Sequence, residues 1–421
     1  MNRIWKIAFE SLLGLPRKWL VAGITLRIIF MPFTMHGDLV FSYWASHFIG
    51  YEHVTDIFYF FSRQFGVLPT DTPVKYFFYA LMLLLLQPLM PYGKSMMSQI
   101  SLPNGTPNYM LFYANPNVYS ALFLFKIPYL FFDFGTLWIL MHLVEERNRK
   151  LVFKFWMVNP VVIFVSYIFG GYDIIPVFFV ALSLLLAKLE MNVKSLVVLG
   201  VGGAFKLWAF FLLPFYIVGF AKSVPNRIKL AIAAVAPYFL MLLAQPQSLG
   251  ISLKAFSSPM VGFVLGMNFQ LGFNETIYVF VAAYTLVFFA FMFSHKDFDI
   301  VWKYSVVVML LYYALCRFHP QYFLWLIPFV CLVIGYEKKF ITLHALQILC
   351  YVVYTFYWGG SLAGILFAPL NPTFFYSLPS PSSLITAYFE PNVFIGIFRS
   401  IFTGITIWMI LLIFRSKTLL Q

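Results

Sequence analysis

The sequence predicts an all-α, polytopic integral membrane protein, and three observations carry that prediction. Of 421 residues, 62% are hydrophobic and only 10% are charged, a balance that a soluble domain cannot bury. The apolar residues come in repeated runs of roughly 15 to 25, close to the ~20 needed to cross ~30 Å of hydrocarbon, whereas a β-barrel would show short alternating segments. The basic residues behind the formal net charge of +13 gather between those runs. That distribution fits loops flanking a membrane and gives no reason to expect a nucleic-acid partner.

The whole chain, 1–421, reads as a single transmembrane domain. The first run, 19–35, follows the basic start MNRIWKIAFESLLGLPRKW and ends FTMHG, with no A-x-A-like cleavage site, so it is expected to remain as an anchor. Further spans are read at 118–143, 152–169, 175–188, 228–244, 276–294, 300–316, 321–336, 339–356 and 393–414, about ten full spans in all. Between the fourth and fifth, SLVVLGVGGAFKLWAFFLLPFYIVGF is too long for one span and too short for two. It reads as a helical hairpin that turns near Lys206. Cys316, Cys331 and Cys350 lie within or at the edge of apolar runs, so neither a structural disulfide nor a zinc site is expected.

Orientation follows from the positive-inside rule. With the N-terminus inside, Arg3, Lys6, Arg17, Lys18, Arg147, Arg149, Lys150, Lys154, Lys188, Lys194, Lys222, Arg227, Lys229, Lys296, Lys303, Lys338, Lys339, Arg415 and Lys417 all face the inner side. Only Arg63, Lys75, Lys94, Lys254 and Arg317 face outward, and Arg27, Lys126, Lys206 and Arg399 fall within spans. The assignment requires that VKYFFYALMLLLLQPLMPY, 74–92, does not cross, because a crossing would put EERNRK outside. That run is expected to lie in the outer interface or to re-enter. Three long outer segments result, 36–117 with interfacial helices, 245–275 and 357–392, and chemistry or binding is expected there.

Asp38, three residues past the first span, is held at the membrane surface, where a carboxylate can take a proton from a hydroxyl or help bind a metal, with His36 to assist. His47, Glu52, His53 and Asp56 read as the polar face of an interfacial helix. Asp173, beside Gly170 and Gly171, can cap the helix starting at Ile174 or serve a site. Lys126 and Asp133 are seven residues apart and share a helix face, so they can serve each other's charge through an intermediary. Arg27, Lys126, Lys206 and Arg317, with His319 beside the last, are cations at or near membrane depth, where an unpaired charge is expensive. Together they suit a membrane-embedded anion, and a lipid phosphate is the obvious one.

These segments also carry a resemblance. KFWMVNPVVIFVSYIFGGYDIIPVFFVALSLLL, VKSLVVLGVGGAFKLWAFFLLPFYI and RFHPQYFLWLIPF, with TLRIIFMPF and LFKIPYLFFDFGTLWILMHLVEERNRK before them, resemble the GT-C glycosyltransferases that use polyprenyl-phosphate sugars. Within these the pattern is similar to the family of the first mannosyltransferase of glycosylphosphatidylinositol synthesis and its prokaryotic relatives. The resemblance implies a catalytic acidic pair, D-x-D, in the first outer loop. This chain has His36-Gly37-Asp38 there, so Asp38 carries over as the base and a two-carboxylate metal site does not. A divalent ion, manganese or magnesium, stays open as cofactor. Asp173, Gln321 and Tyr322 match recurring family positions and are expected to bind substrate, and Lys206, Arg317, His319, Arg27 and Lys126 to meet the donor phosphate. The implied partners are a polyprenyl-phosphate sugar donor and a lipid or glycan acceptor. The implied function is transfer of a sugar, mannose by family, to an acceptor hydroxyl on the outer face with inversion. The expected location is a prokaryotic cytoplasmic membrane, with the endoplasmic reticulum as the alternative.

A transporter or lipid flippase for a glycolipid or other anionic substrate is the rival from another class, since intramembrane charges can also line a pathway. No internal repeat and no matching pair of broken helices in two halves supports it. The long first outer loop with an acid at the membrane surface favours the enzyme.

Overall fold

The computed structural model describes residues 16–69, 71–250 and 259–416; Arg3, Lys6, Lys254 and Lys417 of the charge pattern lie outside them. Helices make up 77% of the structure, and its two strands, Asn268–Gly272 and Glu275–Tyr278, form one antiparallel hairpin. Five helices are long and apolar enough to cross a membrane: Val118–Leu143, Val224–Leu243, Phe298–Leu315, Lys339–Trp358 and Pro391–Arg415. A sixth span is added if Glu146–Met157 and Pro160–Phe169, bent by 45°, count as one. The chain is a multi-pass helical membrane protein.

Ile174–Lys188 matches the expected 175–188 run, but several other apolar segments are shorter than the sequence suggested, for local reasons. Asn159 accepts from Val161 N at 2.9 Å and caps a helix that begins at Pro160, so the 152–169 run breaks there. That helix then widens into a π-turn, Phe164–Phe169, and stops at Gly170 with φ +81°. The 321–336 run starts as the 3-10 segment Pro320–Leu326 before becoming the helix Ile327–Tyr336. The 276–294 run begins in the second strand and leaves only Val279–Met292 helical. Irregular backbone at membrane depth is tolerated where it is buried in protein or lines a polar cavity. The breaks near Gly170, Lys206 and Pro320 meet at one such place.

The hairpin turns as expected. The helix Asn192–Phe205 ends at Lys206, whose extended backbone (φ −150°, ψ 126°) breaks it, and Leu207–Leu212 and Leu213–Phe220 return. Gly203 lies against the Phe210 ring near the turn, and Gly219 against Val301 far from it. Gly200 faces the backbone of Ala234 so closely that no side chain would fit, which lets Asn192–Phe205 and Val224–Leu243 pack backbone to backbone.

The 74–92 run forms the helix Pro73–Leu86. Its 14 residues reach only about 21 Å at 1.5 Å per residue, short of the ~30 Å hydrocarbon core. It packs on Gly37–Glu52, with Tyr79 against Tyr43 and Ala80 against Gly50, while Leu81, Leu84 and Leu85 are exposed. The preceding helices of the 36–117 segment are not all surface layers. His47 is buried, its Nδ1 against Trp44 O and its Nε2 3.4 Å from Glu52, because the Trp44 and Phe48 rings pack on it. Asp56 caps Ile57–Phe65 through Tyr59 N and also accepts from Ser248 N at 3.0 Å. Neither residue belongs to the exposed polar face that the sequence suggested.

The helices run to and fro between two ends. At one end His36 N donates to Phe169 O at 2.7 Å, and Thr72 Oγ1 to Ala204 O at 2.5 Å. At the other, Lys188 Nζ donates to Leu143 O at 2.9 Å, and Gly335 packs on Val144 and Val152. The turn with Arg147, Arg149 and Lys150 therefore lies at the end opposite Asp38. Phe298–Leu315 is central, with 72% of its apolar window buried, and Pro391–Arg415 is peripheral at 22%.

The three native cysteines are buried and free, so an impermeant thiol reagent should leave the parent protein silent. Asp38→Cys should label from outside intact cells and Asn148→Cys only after permeabilisation. Equal labelling of both would refute the inside placement of the basic turns.

Candidate functional site

Five segments bring charge to one end of the bundle. The first is the turn after the initial span. His36 is the N-cap of Gly37–Glu52, its Nδ1 accepting from Asp38 N at 3.2 Å, and its ring stacks on Phe169 at 4.1 Å. Asp38 thus sits in the first helical turn, where the helix dipole favours an anion. Its carboxylate is 3.4 Å from His36 Nδ1 and 52% exposed. Enclosure by protein would raise its pKa, but His36, Lys75 and His319 outweigh that and hold the carboxyl well below the usual range.

The second and third segments meet at an ion pair. Asp173 follows the glycine reversal and stands at the N-terminus of Ile174–Lys188, yet its side chain does not cap that helix. Instead Asp173 Oδ1 accepts from Lys206 Nζ at 2.7 Å and from Trp325 Nε1 at 2.6 Å. Its other oxygen, Oδ2, is buried without a hydrogen-bond partner. Lys206 is buried in a box of rings, 4.4 Å from the centre of Tyr172, 4.6 Å from Tyr322 and 5.5 Å from Trp325. A lysine held this way does not snorkel to the interface.

The fourth segment was not singled out by the sequence. Asp71, in the left-handed region at φ 71°, pairs with Lys75 at 2.7 Å, and Lys75 Nζ lies 4.9 Å from the Tyr172 ring centre. Two ammonium groups therefore flank one tyrosine, each with its own aspartate. Enclosure pushes the Asp71 pKa up, while Lys75 and Lys206 overcome it and lower it. The signal in the sequence was the i, i+4 spacing of Asp71 and Lys75, hidden because TDTPVKY also reads as a helix start.

The fifth segment is the 317–325 stretch. Gln321 Oε1 and Asp173 Oδ2 lie on the same side of Gly171, and Tyr322 stacks on Trp325 at 4.2 Å. His319 lies 6.3 Å from His36, ring centre to ring centre, and 5.3 Å from Trp358. Burial pushes its pKa down to about 4, so at neutral pH it offers one N–H and no charge. Arg317 is exposed, over the rings of Phe263 and Trp358. The structure thus gathers Asp38, His36, Asp173, Lys206, His319, Gln321 and Tyr322 at one end, with Arg317 at the edge.

Two expected donor-phosphate residues stand elsewhere, engaged in the bundle. Arg27 is fully buried, with Nε 2.6 Å from Asp133 Oδ2 and Nη1 donating to Gly23 O and Met157 O. Trp156 Nε1 and the Tyr167 hydroxyl complete the Asp133 shell, both at 2.6 Å. Asp133 therefore serves Arg27 and not Lys126. Lys126 donates to Thr34 O and to Tyr167 O, a carbonyl in the π-turn. All the donor nitrogens of Arg27 and the ammonium of Lys126 face protein oxygens, which leaves neither positioned to receive a phosphate.

His36 and Asp38 supply one imidazole and one carboxylate, and among the described residues no group of three or more His, Cys, Asp or Glu converges as a metal site. That donor set does not make a dedicated all-protein cage for manganese or magnesium.

Arg27→Met should remove the partner of a buried carboxylate and cost about 3–5 kcal/mol, read as lost thermal stability of the purified protein, with part restored by adding Asp133→Leu. Unchanged stability with weakened donor use would return Arg27 to the site.

Comparison with family models, with curated proteins and with solved structures finds no match for this chain.

Proposed function

We propose that the chain is an integral-membrane glycosyltransferase that moves a sugar, mannose by its family resemblance, from a polyprenyl-phosphate donor to an acceptor hydroxyl at the outer face. The architecture in this reading is a GT-C-like bundle of about ten spans plus the hairpin at Lys206, in a prokaryotic cytoplasmic membrane. One observation supports the reading most. Of the three carboxylates at the charged end, Asp71 and Asp173 are each tied to a lysine at 2.7 Å, whereas Asp38 has only His36 at 3.4 Å and is half-exposed. It is an ionised base facing open space, held at a helix start.

The acceptor hydroxyl gives its proton to a carboxylate oxygen of Asp38 as its own oxygen bonds to the anomeric carbon. The bond from that carbon to the phosphate oxygen breaks with its electron pair leaving on the phosphate. Attack opposite the leaving group inverts the anomeric centre, and no covalent sugar intermediate is needed. Fixed positive charge is worth most as the phosphate charge grows. Arg317 at the edge provides it, with Lys206, already matched by Asp173 at 2.7 Å, as the weaker contributor. His36 orients Asp38, Gln321 lies beside Asp173 at Gly171, and Tyr322 packs on Lys206.

Membranes given labelled polyprenyl-phosphate mannose should form a labelled glycolipid or glycan. Asp38→Asn, which keeps shape but loses the proton acceptor, should slow transfer by roughly 10²-fold or more with little change in protein level. Near-normal turnover of Asp38→Asn would remove it as base, and absence of transfer from any sugar donor would favour the flippase reading.

A further inference from the structure

The outer segments hold a short pattern that neither the paired charges nor the proposed reaction uses. Asn-x-Ser/Thr, with any residue but proline at the centre, is the acceptor motif for N-linked glycans. It occurs twice, at Asn104-Gly105-Thr106 and at Asn274-Glu275-Thr276, while Asn371-Pro372-Thr373 is closed by its proline. Asn104 and Asn274 both fall in segments that the charge pattern puts outside, 36–117 and 245–275. The fold treats the two differently.

Asn104 stands in a tight turn, in which Gly105 N donates to Leu102 O at 3.2 Å and Leu102 N to Thr106 O at 3.1 Å, flanked by the antiparallel pair of Ser101 and Pro107. Gly105 is required there, because its φ of +75° suits glycine and a Cβ would lie 2.6 Å from Phe65 Cβ. With that glycine packed on Phe65, the turn leaves Asn104 and Thr106 exposed. Thr106 Oγ1 donates to Asn104 Oδ1 at 2.7 Å, and Thr106 N to the same oxygen at 3.2 Å. The amide oxygen is thus engaged, and among the described residues Asn104 Nδ2 donates to nothing. Asn274 instead sits at the tip of the hairpin of Asn268–Gly272 and Glu275–Tyr278, among the exposed Leu271, Phe273 and Ile277. Thr276 is held in the ladder opposite Gln270. The apolar helix Val279–Met292 begins five residues after Asn274, against fourteen between Asn104 and Val118. An apolar tip so close to a membrane helix suits the lipid interface, which keeps a second protein away from it.

We infer that Asn104 is an N-glycosylation site on the outer face and that Asn274 is not. The donor is a lipid-linked oligosaccharide, activated at its anomeric carbon as a phosphate ester, and the catalyst is a separate membrane enzyme that reads the motif. Asn104 Nδ2 attacks the anomeric carbon, and the new C–N bond forms as the bond from that carbon to the phosphate oxygen breaks. The electron pair leaves on the phosphate, and one Nδ2 proton passes to a base of that enzyme. The glycan is bulky and polar, so it holds the 101–107 turn on the aqueous side of the interface. The inference does not depend on the reaction proposed at Asp38, since here the chain is the acceptor and not the catalyst. It requires only that 36–117 lies outside.

The full chain isolated from its own membranes, digested and read by mass spectrometry, tests the site. The peptide carrying Asn104 should bear a discrete mass of sugar residues, and the peptide carrying Asn274 should be bare. Expressed in the same cells, Asn104→Gln and Thr106→Ala should each lose that mass from the intact protein, Thr106→Ser should keep it, and Asn274→Gln should change nothing. Thr106→Ala is the decisive arm, because the acceptor amide remains and only the hydroxyl of the motif is gone. Both altered positions are exposed, and elution of each variant at the parent's volume in size-exclusion chromatography shows that it has folded. A bare Asn104 in the parent would overturn the inference, as would sugar retained by Asn104→Gln or found on Asn274 instead. Outside labelling of Asp38→Cys together with a bare Asn104 sinks this site alone, whereas labelling only after permeabilisation removes the outer placement and the site with it. The glycan is read by mass and not by turnover, so failure of the proposed reaction and failure of this site are separate results.

Discussion

A charge taken below the membrane surface must find an opposite charge or a set of oxygens, and that requirement organises this bundle more than any apolar contact does. Helices in lipid gain little from burying one more leucine, because the surrounding chains are equally apolar. An unmatched ion costs kilocalories. Asp133 answers Arg27 across a sequence distance of 106 residues and ties the first helix, Arg17–Phe30, to two others, since Arg27 also holds the Met157 carbonyl. Asp173 answers Lys206 and fixes the tip of the hairpin to the end of the third span, and Trp325 brings in the 320s through the same oxygen.

The irregular backbone follows from the same need. A π-turn at 164–169 exposes the Tyr167 carbonyl, which Lys126 and Thr34 then satisfy. The break at Lys206 frees carbonyls of Ala204 and Phe205 that Thr72 meets. Each interruption shortens a span and supplies a polar wall. The broken helices and the gathering of charge at this end are one arrangement, and Asp38 stands there as the carboxylate left without a lysine.

The fold was largely legible because hydrophobic runs and intervening charge report on lipid directly. Val118–Leu143 matches its sequence limits, and the reversal at Lys206 could be read from length alone. Ile174–Lys188 also matches its limits; less legible was the shortness of Val279–Met292, which begins in a strand paired with Asn268–Gly272, and of Ile327–Tyr336, whose approach is a 3-10 segment with Tyr351 bonded to the Pro320 carbonyl. The site was legible at Asp38, Asp173 and Lys206, where a polar residue interrupts an apolar context. Lys126 and Arg27 looked alike in sequence, and only the partners 41 and 106 residues away reveal that both are occupied. Asp71 hid behind a plausible cap.

The central claim is that the Asp173 and Lys206 charges neutralise each other and fix the charged end of the bundle on which the proposed role of Asp38 depends. A double-mutant cycle on Asp173→Asn and Lys206→Met, read by unfolding of the purified protein, tests it directly. Mutual neutralisation predicts that each single change destabilises and that the double change costs less than their sum, with a coupling of about 1–3 kcal/mol. Additive costs within about 0.5 kcal/mol would mean that the two charges stand independently, and the account of the charged end would fail.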